Sequence, residues 1–135
     1  MDLWHKIREP RLSRFKRVFF SYSSEDRPLV MKQAEEYTRF NIYFFQDILS
    51  LSPGERWRQR LWKEIDRCDL FILFWSSHAK NSEWVIKETE RAWRRWARSG
   101  GSRPVLRPEI LENPPPSPDQ DWLRESHFND PKFHR

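Results

Sequence analysis

Six consecutive apolar residues, Leu70-Phe71-Ile72-Leu73-Phe74-Trp75, stand in a chain whose mean hydropathy is −0.95. A strand with one wet face alternates apolar and polar side chains. This run does not alternate, so both of its faces must be covered. That is the condition of a central strand in a parallel sheet flanked by helices.

The rest of the chain supplies the flanking elements. Arg17 to Tyr22 reads as a second, shorter buried strand. After Ser23, Ser24, Glu25 and Asp26, a helix with Pro28 in its first turn runs to about Arg39, with Leu29, Val30, Ala34 and Tyr37 facing inward. Asn41 to Phe45 forms the second strand in chain order. The loop from Asp47 to Glu55 carries the Pro53-Gly54 turn signal. A helix follows from Arg56 to Arg67, with Trp57, Leu61 and Ile65 recurring every four residues. Beyond the apolar strand, Ser76 to Asn81 reads as a polar loop. Asn81 or Ser82 caps a helix that runs to Arg98, and Gly100 and Gly101 stop it. Pro104 to Ile110 holds a fourth strand. Pro114, Pro115, Pro116 and Pro118 make a stiff loop, Asp121 to Glu125 a helical turn, and His127 to Asp130 a fifth strand.

This alternation predicts an α/β fold: a flavodoxin-like parallel five-stranded sheet of order 2-1-3-4-5 with helices on both faces. At 135 residues the chain suits one domain, residues 17–135, behind a basic N-terminal extension, residues 1–16, that contains Trp4 and Ile7.

Several chemistries are excluded by what is missing. Three glycines in the whole chain leave no dinucleotide fingerprint and no phosphate-cradling loop. A phospho-acceptor domain needs an aspartate at the end of the third strand, where Trp75 and Ser76 stand. No nucleophile elbow is present. Cys68 is the one cysteine, which rules out an internal disulfide and reads as a small buried apolar residue. His78, His127 and His134 read as surface residues, and no metal site is assigned. No apolar run reaches membrane-spanning length. The net charge is +5 and the pI about 9.7, with basic residues gathered in Lys6 to Arg17 and in Arg91, Arg94, Arg95 and Arg98. A solvated surface is the weightier reading of these, since no nucleic-acid motif accompanies them.

Ligands of open α/β sheets bind beyond the carboxyl ends of the strands, which here carry Ser21, Tyr22, Asp47, Ser76 and Ser77. The helix that opens from the same edge bears Trp84 and Glu88, four residues apart and so on one face. An aromatic plate beside a carboxylate suits the holding and cleavage of a ring-bearing nucleotide. Each residue also has a plainer reading. Glu88 can pair with Arg91 or Arg95, Trp84 and Phe20 can be core, Tyr22 can cover the sheet edge, and Asp47 can bond its own turn.

Four stretches in order resemble Toll/interleukin-1 receptor (TIR) domains. They are Val18 to Asp26, Asp47 to Trp57 with its Pro-Gly turn, Ile65 to Ser76, and Ser82-Glu83-Trp84-Val85-Ile86-Lys87-Glu88. The first and last look more like bacterial members than animal receptor adaptors. The resemblance implies NAD nucleosidase chemistry, with NAD as substrate, no cofactor, and ADP-ribose or a cyclic form as product. Glu88 would steady the positive charge growing on the ribose, and Trp84 would offer a face to a ring. Phe20, Ser21 and Tyr22 would line the floor, Asp47 and Leu51 the loop wall, and Trp57 would support that loop. It also implies self-association with other TIR domains, a cytoplasmic setting and a part in bacterial antiphage signalling. The other reading is a TIR scaffold that recruits like domains without catalysis. The family usually closes with a helix after the fifth strand. The sequence reaches Arg135 without that helix, so Trp4 and Ile7, a partner, or a further stretch of a longer protein is expected to cover that part of the sheet.

Overall fold

The computed structural model describes residues 15–39, 43–45 and 55–125. Its strands are β1 (Arg17–Ser21), β2 (Tyr43–Phe45), β3 (Leu70–Trp75) and β4 (Val105–Ile110). Its helices are α1 (Arg27–Arg39), α2 (Glu55–Arg67), α3 (Ser77–Lys80), α4 (Glu83–Arg98) and α5 (Asp121–Arg124), with a 3-10 turn at Ser24–Asp26. All strand pairs are parallel, in the order β2-β1-β3-β4. The four strands keep the expected order. The fifth, His127 to Asp130, and the extension with Trp4 and Ile7 lie outside the described residues.

β3 is central, and its side chains divide by parity between two apolar layers. Phe71, Leu73 and Trp75 join Phe19 against Leu61 and Ile65 of α2 and Val85 and Ala92 of α4. Leu70, Ile72 and Phe74 join Val18 and Phe20 against Val30 and Ala34 of α1. A non-alternating run thus becomes two alternating half-sets, one for each covered face. Phe19 stacks on Phe71 at 5.5 Å within the first layer, and Phe20 meets Phe74 edge-on at 5.0 Å in the second.

The amino ends of the strands are tied by carboxylates. Asp69, just before β3, accepts from the backbone N–H of Lys16 at 2.9 Å and of Arg17 at 3.0 Å, fixing where β1 begins. Glu64 on α2, itself buried, pairs with Arg17 at 3.1 Å and with Arg60 at 3.2 Å.

Two local expectations need correction, and a third gains a contact. Leu29 is 50% exposed: Val30 and Ala34 hold the inward stripe of α1, and its neighbour is turned about 100° away. The segment after β3 is not simply a polar loop. Ser76 accepts from the Ala79 N–H at 3.0 Å and caps the short helix α3. The Pro-rich segment is docked on the sheet: the Pro116 carbonyl accepts from the Trp75 indole N–H at 2.7 Å, and Pro118 is buried.

In β4 the N–H groups of Val105 and Leu111 donate to Asp69 and Trp75. N–H direction alternates along a strand, so Pro108, three residues from each, faces its ring nitrogen away from β3. The missing donor costs the β3–β4 ladder nothing. α4 ends as its glycines predict. Gly100 and Gly101 take φ values of 74° and 85°, and the Gly101 N–H donates to the Trp96 carbonyl at 2.9 Å.

Candidate functional site

β1 ends at Ser21, and the strand's alternation puts that side chain on the same face as Phe19, towards α2 and α4. α4 starts at Glu83 because Ser82 caps it, its hydroxyl accepting from the Val85 N–H at 3.2 Å. From that start, Val85, Glu88, Thr89 and Ala92 form the buried stripe of α4. Glu88 is the one carboxylate in this stripe, and it meets the end of β1: the Ser21 hydroxyl donates to Glu88 Oε1 at 2.8 Å.

Glu88 is 6% exposed. Loss of water pushes its carboxyl up from an ordinary 4.5 to about 8, and the Ser21 hydrogen bond offsets this only in part. The arginines nearest in sequence are engaged elsewhere. Arg91 grips Asp66 with two bonds of 2.8 and 2.7 Å, and Arg95 donates to the carbonyls of Ile65 and Cys68. The plainer reading of Glu88 as the partner of either is therefore set aside. A carboxyl buried beside a hydroxyl and poised near neutrality is the type of group that functional sites carry.

Trp84 sits one turn before Glu88, about 6 Å along the axis. Its ring meets Trp62 of α2 edge-on at 5.4 Å, with Arg58 and Lys87 within 6 Å of the ring centre. The indole thus belongs to a half-buried seam between α2 and α4. Phe20 and Tyr22 face the other way, into the layer beneath α1, where both touch the Phe74 ring. The structure thus brings Ser21 to Glu88, sets Trp84 alongside, and puts Phe20 and Tyr22 across the sheet. Asp47 and Leu51, with Gly54, lie outside the described residues, as does the Trp57 side chain.

A second polar group stands at the same sheet edge, part of it from the Val18 to Asp26 stretch. Asp26 is buried and accepts from the Ser76 hydroxyl. His78 Nδ1 lies 2.9 Å from Asp26 and its Nε2 lies 2.8 Å from Glu25. The hydrogen bond to Asp26, with the Glu25 charge adding to it, raises the His78 pKa. Only the acidic pair Glu25-Asp26 after β1, matched with a histidine after β3, could have signalled it. No group of three or more metal-ligating side chains stands together among the described residues.

A family model described as TIR domain matches residues 18–134. The chain belongs to the TIR domain family. No curated protein matches it. The match covers every helix described and the sheet but for Arg17, and both Ser21 and Glu88 fall inside it. Among the described residues, no helix of this TIR domain is long and apolar enough to cross a membrane.

Proposed function

We propose that this TIR domain is an NAD nucleosidase with Glu88 as its catalytic carboxylate. The observation that carries the reading is the burial of Glu88 against Ser21 at the carboxyl end of β1, with no cation beside it among the described residues. An unneutralised carboxylate in a water-poor setting interacts strongly with positive charge. The nicotinamide–ribose bond of NAD breaks through an oxocarbenium-like state in which the sugar becomes positive. Nicotinamide departs as a neutral molecule, so the site needs no acid to protonate it. Glu88 accepts from the ribose hydroxyls and stabilises the cation, while Ser21 fixes the carboxylate's orientation.

Glu88 must be ionised to act, and a carboxyl at about 8 is mostly protonated at neutral pH. The positive nicotinamide ring of bound NAD favours the ionised form, so substrate binding arms its own catalyst. Trp84 offers a ring face at the mouth. Asp47, Leu51 and Trp57 belong to the loop wall in this reading, and Phe20 and Tyr22 support the floor from beneath the sheet. ADP-ribose or a cyclised form is the product, and clustering with other TIR domains in the cytoplasm raises activity, as suits bacterial antiphage signalling.

Incubation with NAD tests the proposal. The wild-type protein releases nicotinamide and Glu88→Gln does not; equal release by both sinks it. One observation favours the scaffold reading instead. Trp84 is engaged with Trp62, as a structural seam would have it. A wild-type protein that self-associates yet leaves NAD intact when concentrated would establish that reading.

A further inference from the structure

A cavity of about 440 Å³ lies between α2 and α4, over the Trp62 ring. Lys87, Arg91, Arg94, Arg95 and Arg98 line it from α4, at spacings that form one stripe of a helix. Asp66 and Glu90 are the carboxylates in its wall, so five cations against two anions leave an excess of three positive charges.

The cations differ in how firmly they are held. Arg91 is locked by both oxygens of Asp66 and lies 5.2 Å from the Trp62 ring centre. Arg95 is anchored on the Ile65 and Cys68 carbonyls at the end of α2, which fixes its fork without cancelling its charge. Arg94 meets Glu90 at 3.4 Å, but both side chains are well exposed and water screens the pair. No carboxylate among the described residues pairs with Lys87 or Arg98. The stripe from Lys87 to Arg98 is about 16 Å long at the helical rise. That is too long for one phosphate and suits a chain of phosphoryl groups, whose oxygens match pre-set guanidinium forks. A half-open hollow of about 440 Å³ matches the size of a small molecule rather than the broader footprint of a peptide.

We propose that the cavity between α2 and α4 binds a small ligand carrying two or more phosphoryl groups. It is distinct from the Glu88–Ser21 pair, which faces the sheet from the buried stripe of α4.

Calorimetric titration at fixed ionic strength with tripolyphosphate, pyrophosphate and inorganic phosphate tests this. Tripolyphosphate should bind at one site per chain and most tightly, inorganic phosphate least. The double variant Arg94→Ser/Arg98→Ser should lose about tenfold or more in affinity. Arg98→Gln alone should lose a smaller share and serves if the double variant folds poorly. Glu88→Gln should bind tripolyphosphate as the wild type does, so failure here is separable from failure of the NAD reading. Undiminished affinity in both arginine variants overturns the proposal. So does equal binding of all three phosphates, or binding confined to a DNA or RNA strand with none of the short phosphates held.

Discussion

At the amino end of β1, Glu64 is 6% exposed and lies between the guanidinium groups of Arg17 and Arg60; at the carboxyl end, Glu88 is equally buried and has the Ser21 hydroxyl. The same side chain at the same depth is neutralised in one place and, among the described residues, left without a cation in the other. Glu64 bridges a strand to a helix, and its charge is cancelled where it stands. Glu88 carries the unreturned expense of desolvation, which is the condition a group must be in if it is to favour a positive charge arriving later. The contrast separates a carboxylate whose charge is cancelled by its neighbours from one that meets only a hydroxyl among the described residues.

The largest effect that bears on this contrast is on turnover. Glu88→Gln keeps the shape and removes the charge, and it should lower nicotinamide release by about a hundredfold or more. Measurement of single-time-point product by chromatography is enough to see it. A loss of this size from Glu64→Gln would break the comparison.

Stability should move in the opposite direction at the two ends. The folded state holds the Glu88 proton longer than the unfolded chain does. The stability linked to that proton is present at pH 4 and is lost as pH rises from 4.5 towards about 8. Glu88→Gln escapes this loss. It should match the wild type at pH 4 and be more stable at pH 9 by a few kcal/mol, read from urea melts at both values. Wild-type stability that stays flat over this range would count against a buried, protonated Glu88.

Ser21→Ala sharpens the same point. The Ser21 bond favours the charged carboxylate, so its removal should raise the Glu88 pKa further. The rise of kcat/KM with pH should then shift to higher pH, with a cost to stability of about 1 kcal/mol. An unshifted profile would make Ser21 a packing residue only.

The smallest effect is expected at the amino end. Glu64→Gln should cost about 1 kcal/mol, because the two arginines are half exposed and regain water. NAD turnover at saturating substrate should be unchanged.

Much of this was legible in the residues. The unbroken run Leu70 to Trp75 predicts a doubly covered central strand, and a cap at Asn81 or Ser82 predicts the start of α4, which the structure puts at Ser82; together they set which residues of α4 face the sheet. Once that start is known, Glu88 falls on the buried stripe with Val85 and Ala92. Strand parity was the part most easily passed over. Phe20, Ser21 and Tyr22 are neighbours in sequence, yet alternation sends Ser21 to the α4 side and Phe20 to the α1 side. Sequence spacing likewise joins Trp84 to Glu88 on one helix face. It does not reveal that Trp62, on another helix, packs edge-on against the indole. Nor does it reveal long-range polar pairings such as Asp26 with Ser76 and His78, which depend on where loops after different strands come to rest.

The outward-facing nitrogen of Pro108 bears on how this molecule meets others. Any strand laid along the outer rim of β4, from this chain or a neighbouring copy, must skip one bond there, because no hydrogen is available to give. Runaway addition of sheet upon sheet is thereby discouraged on that flank. A copy that lengthened the β-ladder on this flank would meet that gap at Pro108, midway along β4.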